Sequence, residues 1–180
     1  MKATKKLTVS AMAVALGVAF SALGSVVSVL DLTAATLASL LVAFVYIEVG
    51  SPYTWLVWLA TSLISFIIFP HSLVWLVYLT LFGIYPILKG YIERTPRPIW
   101  WLLKLLYLNA MLLLLAFFAE ALTGVPFFGD LDTLPVALPI AYAIMWAVMN
   151  LAFVLYDILI VKMVRFYKIK IRPKIERLLK

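Results

Sequence analysis

Every Lys and Arg of this chain falls into one of three clusters, and long uncharged runs separate them. Lys2, Lys5 and Lys6 open the chain, and Lys89, Arg94, Arg97 and Lys104 lie past its midpoint. Lys162, Arg165, Lys168, Lys170, Arg172, Lys174, Arg177 and Lys180 close it. A run of about 20 apolar residues spans the ~30 Å hydrocarbon core as a helix, because lipid offers backbone groups no hydrogen-bond partner. Hydrophobic residues make up 66% of the 180 and mean hydropathy is +1.12, which excludes a soluble domain with a polar surface. Turn signals divide the chain into six spans, at about 7–30, 32–49, 52–69, 72–91, 98–122 and 135–161, followed by a basic tail at 162–180. The predicted fold is all-α, a single polytopic membrane domain built as a six-transmembrane-helix bundle.

With six spans the three basic clusters share one side, which the positive-inside rule makes cytoplasmic. The expectation is therefore a multi-pass protein of the cell membrane with both termini cytoplasmic. The opposite side carries Asp31, Glu120, Asp130 and Asp132. Asp31 is placed to cap the second span, and Pro52 suits the first turn of the third. The first apolar run is longer than the core of a signal peptide, so it reads as a retained span. Zero cysteines exclude thiol chemistry, and one histidine leaves no zinc-type cluster. No G-x-x-x-x-G-K-[ST], G-x-S-x-G or H-E-x-x-H motif occurs. The expectation is a protein that is not an enzyme, with no catalytic residues, no metal and no cofactor.

Polar and aromatic residues inside the spans are the candidates for binding. On the fourth span His71, Trp75, Tyr78, Phe82, Tyr85 and Lys89 fall within an arc of about 80° at ~100° per residue. That row reads either as the wall of a ligand cavity or as a packing seam with Lys89 snorkelling to the interface. Gly83 and Pro86 are placed to kink the helix. On the sixth span Tyr142, Trp146 and Asn150 recur at steps of four. Asn150 reads equally as a binding residue and as an interhelical bond, and Asp157, beside the basic tail, as an ion-pair partner. On the fifth span Glu120 gives the outer side an acidic entrance that favours cationic or neutral ligands, and Lys104 is expected to snorkel past Trp100 and Trp101. The apolar stretch Val125, Pro126, Phe127, Phe128, Gly129 reads as a lid or as an interfacial anchor. The basic tail is expected to bind anionic lipid rather than nucleic acid.

The first span carries two rows of small residues. Ala11, Ala15 and Ala19 stack on one face, and Gly17, Ser21 and Ser25 form a second row about 160° away. Small residues let helices approach closely where no hydrophobic effect drives them together. The stretch KKLTVSAMAVALGVAFSAL resembles the first helix of substrate-binding subunits (S components) of energy-coupling-factor vitamin transporters. Its alanine row matches the A-x-x-x-A face by which those subunits dock on a transmembrane coupling subunit. The resemblance implies a six-helix protein with cytoplasmic termini that binds a small-molecule substrate from outside. It implies transport together with the coupling subunit and two ATPase subunits. It places binding in the outer half, in the regions of His71, Trp75 and Tyr78, of Glu120, and of Tyr142 and Trp146, with docking at Ala11, Ala15 and Ala19; Asn150 joins the candidates from its own position on the sixth span. A cationic or neutral vitamin-like ligand fits the acidic outer side. The second reading is a membrane assembly or interaction protein without a small-molecule ligand.

Overall fold

A computed structural model describes residues 3–127 and 137–173. Lys2, Phe128, Gly129, Asp130, Asp132, the first two residues of the predicted sixth span, and Lys174, Arg177 and Lys180 lie outside the described residues. Six helices are long and apolar enough to cross a membrane, and no strand occurs among the described residues. They are α1 (Ala3–Val26), α2 (Asp31–Glu48), α3 (Ser51–Ile68), α4 (Leu73–Ile92), α5 (Arg97–Thr123) and α6 (Leu138–Ile171). The chain is a multi-pass, all-α membrane protein.

Local chemistry sets the ends of these helices. Ser72 caps α4, its hydroxyl accepting from the Val74 N–H at 3.2 Å. Pro52 occupies the first turn of α3, where a missing N–H costs nothing. Gly124 ends α5 in the left-handed conformation (φ 76°) and returns its N–H to Glu120 O at 2.8 Å. Two expectations are corrected. Asp31 is the first helical residue of α2, not its cap; Leu30 holds that position without a side-chain bond. Asp31 instead places a negative charge in the first turn, where the helix dipole favours it. The basic tail does not begin as a separate segment at 162, because α6 continues through a π-helical turn at Tyr167–Ile171. At 34 residues α6 is roughly 50 Å long, more than the hydrocarbon core requires. Arg172 on this extension pairs with Glu48 at 3.2 Å.

Cross-links show which ends lie together. Lys6 sits over the Tyr53 ring at 5.9 Å, and Ser51 bonds Tyr91 at 3.1 Å. With the Arg172–Glu48 pair, these gather the start of α1, the α2–α3 turn and the ends of α4 and α6 at one end, here called the basic end. At the opposite end Ser25 donates to Ser72 at 2.8 Å.

Helix α2 is the hub of the bundle, touching α1, α3, α4 and α6. Its inner face is built from Ala34, Ala35, Ala38, Ser39, Val42 and Val45, short side chains that let four neighbours approach. Helix α1 packs against α2 and α3 with Ser10, Ala13, Gly17, Ser21 and Gly24 buried. A Cβ on Gly17 would meet Thr61 Cγ2 at 2.9 Å, and one on Gly24 would meet the Ala34 Cβ at 2.8 Å. Both positions sit at contacts too close for a larger residue. The other small row, Ala11, Ala15 and Ala19, is exposed on the outside of the bundle. The two rows of α1 therefore have different fates, one consumed by the fold and one left free. Gly17→Leu should destabilise the bundle by about 1–3 kcal/mol through overpacking, and Ala15→Leu should leave it unchanged. Unfolding in detergent reads the difference, and equal effects would contradict the assignment of faces.

Candidate functional site

Helix α4 is interrupted halfway along its length. A π-helical segment at Tyr78–Phe82 and a turn at Gly83 and Ile84 precede the final stretch from Tyr85 to Ile92. The Gly83 N–H bonds Tyr78 O at 2.7 Å, five residues back, which withdraws the usual donor from Leu79 O. Pro86 has no N–H to offer Phe82 O. Side chains from three other helices replace these donors. Trp58 Nε1 donates to Leu79 O at 3.1 Å, the Tyr107 hydroxyl shares its one proton between Thr80 O and Leu81 O (3.0 Å), and the Tyr156 hydroxyl shares its own between Ser39 Oγ at 2.7 Å and Phe82 O at 3.1 Å. The interruption expected from Gly83 and Pro86 is present, and these aromatic side chains fill the space beside it.

The aromatic row of α4 lies within the packing. Trp75 and Tyr78 are buried, Trp75 Nε1 donates to Pro70 O at 3.1 Å, and its ring packs on Phe66 at 4.8 Å. His71 is exposed at the turn before α4. The other predicted residues come together elsewhere. Glu120, Tyr142 and Trp146 line one cavity of about 330 Å³ between α5 and α6 at the end opposite the basic clusters, with Phe117, Pro126 and Phe127. One turn deeper Asn150 exchanges bonds with Asn109: Asn109 Nδ2 donates to Asn150 Oδ1 at 3.2 Å, and Trp146 Nε1 donates to Asn109 Oδ1 at 2.6 Å. The amide pair thus holds the Trp146 indole at the cavity wall. A second cleft of about 320 Å³ lies among α2, α4, α5 and α6. Thr33, Thr36, Phe82, Met149 and Tyr156 line it, with no charged residue among the described ones. Phe127 belongs to both walls and packs on the core.

The strongest polar feature was not assembled from the sequence. Toward the basic end, Asp157 of α6 accepts from Tyr85 at 2.5 Å, from Lys89, and from Lys104 at 3.0 and 3.1 Å. Glu93 takes Lys89 at 2.7 Å and Lys104 at 2.8 Å. Two ammonium groups and two carboxylates thus make a neutral cluster joining α4, α5 and α6. Lys104 is 0% exposed and Lys89 6%, so neither snorkels, contrary to expectation. For a lysine this deep, two nearby carboxylates compensate the charge better than a stretched route to water. Lys104 also lies 4.5 Å from the Trp100 ring and 5.4 Å from that of Trp101. Asp157 is an ion-pair partner as expected, but its cations come from α4 and α5, not from the tail. Position along the helices did not group them: Lys89 lies in the last turn of α4, Lys104 about two turns into α5, and Asp157 about four turns before the end of α6.

Comparison with protein-family models, with curated proteins and with solved structures returned no match.

Asp157→Asn leaves two buried ammonium groups sharing one partly exposed carboxylate, and should cost about 3–5 kcal/mol of stability. Replacing Glu93, about a third exposed, by Gln should cost clearly less. Chemical unfolding in detergent measures both, and an Asp157→Asn protein as stable as wild type would contradict the cluster's role.

Proposed function

We propose that this chain is the substrate-binding subunit of a membrane uptake transporter of the energy-coupling-factor type. In this reading it captures a neutral or cationic vitamin-like small molecule and docks on a coupling subunit through α1. The observation that carries the reading is the convergence of Glu120, Tyr142 and Trp146 on one cavity at the end away from the basic clusters. An indole and a phenol offer flat apolar faces and hydrogen bonds, and the carboxylate favours a cation over an anion. The positive-inside bias supports placing that cavity on the outer side, with both termini cytoplasmic. The exposed row Ala11, Ala15 and Ala19 supports docking, since its counterpart on α1 is already used within the bundle. The ATPase subunits would act through the coupling subunit, for the chain has no phosphate-binding loop.

One observation favours the second reading, an assembly protein without a small-molecule ligand. Trp75, Tyr78 and Asn150 are engaged in packing or in interhelical bonds. Two experiments separate the readings. Ala15→Trp and Ala19→Trp should abolish co-purification with co-expressed coupling and ATPase subunits while the bundle stays folded; retained complexes would remove the docking face. Trp146→Ala should weaken ligand affinity at least about tenfold, the scale of one lost aromatic contact with its hydrogen bond. Unchanged affinity would remove the cavity assignment.

A further inference from the structure

A third cavity, of about 440 Å³, opens at the basic end between α2, α4 and α6. Its walls are apolar, including Ala43, Ile47, Pro86, Ile160, Val161 and Val164, and Lys89, Glu93, Arg165 and Lys168 supply its charges. We propose that this cavity is a discrete binding site for the headgroup of an acidic phospholipid. This inference is independent of the transport reading, and it narrows the expected attraction of the basic stretch for anionic membranes to one defined site built on Arg165 and Lys168.

The charges within the cavity are not equivalent. Lys89 is held by Asp157 and Glu93, and Glu93 is in turn held by Lys89 and Lys104. The ion pairs among the described residues involve Lys89, Lys104 and Arg172, so Arg165 and Lys168 have no acidic partner among those residues. Those two lie three residues apart on one helical face, which directs both cations at the same space. Tyr46 brings a hydroxyl to the opposite wall: a Cβ on Gly90 would stand 2.6 Å from it, so only glycine admits the phenol there. Two uncommitted cations and a phenol match a phosphodiester, which takes charge-assisted bonds from each. The apolar walls decide between a lipid and a free phosphate. A free anion would leave them wet, whereas acyl chains leaving the headgroup cover them. Pockets of this kind between transmembrane helices, basic at the membrane surface and apolar below, suit anionic headgroups.

The test is native mass spectrometry of the full chain after equilibration with equal amounts of phosphatidylglycerol and phosphatidylcholine. It is run at about 0.5 M salt, where exposed charges are strongly screened. Wild type should retain one phosphatidylglycerol in preference to phosphatidylcholine. The double substitution Arg165→Gln with Lys168→Gln should reduce that retention at least about tenfold. Lys162→Gln with Lys170→Gln removes the same charge from α6 outside the cavity and should leave retention unchanged. Val161→Trp, at a partly exposed wall position, should displace the lipid with every charge intact. Equal losses in the two charge variants would reduce the effect to diffuse attraction and overturn the site. So would retention unaffected by Val161→Trp, or a lack of preference between the two lipids. Displacement by millimolar inorganic phosphate would show a free-anion site instead and overturn the lipid assignment.

Discussion

A charge inside a bilayer must find its counter-charge within the protein, and the packing of α4, α5 and α6 is arranged around one solution to that demand. Lys104 comes from α5, Lys89 from α4, Glu93 from the position just after α4, and Asp157 from α6. Drawing any one of these helices away would expose an unpaired charge to lipid, so the cluster sets their relative depth as well as their proximity. The same logic governs the interrupted backbone of α4. Its carbonyls from Leu79 to Phe82 are served by Trp58, Tyr107 and Tyr156, which ties α3, α5 and α6 to a single stretch of chain. Non-helical backbone at membrane depth persists only where protein satisfies it in this way.

These polar ties differ in kind from the packing of α1 on α2 and α3. That contact contains close approaches at Gly17 and Gly24 and is made mostly of small side chains. The division leaves the α5–α6 region comparatively open at the end away from the basic clusters, where both the Glu120–Trp146 cavity and the Phe82–Tyr156 cleft are found. It also leaves the alanine face of α1 uncovered.

The number of spans was readable from the sequence because lipid imposes one rule on every residue of a crossing segment. The two rows of α1 were readable as well, since their spacing alone places them on opposite faces. The choice between them was not, because Ala15 and Gly17 differ by one methyl group and only the neighbour at Thr61 tells them apart. Glu120, Tyr142 and Trp146 could be named singly but not as a group, for their meeting depends on how α5 and α6 cross. Lys104 and Lys89 were misjudged because snorkelling is the default for a lone lysine, and neither is alone once α6 brings Asp157 between them. The extension of α6 past residue 161 was missed because charge marked the end of the span but not the end of the helix.

The claim that this bundle receives a small molecule is tested most directly by native mass spectrometry of the protein purified in mild detergent from cells grown in rich medium. The capture reading predicts a one-to-one adduct of a small, non-lipid organic molecule that survives detergent exchange. A protein that carries only phospholipid, or nothing, after growth under those conditions would contradict it and favour the assembly reading.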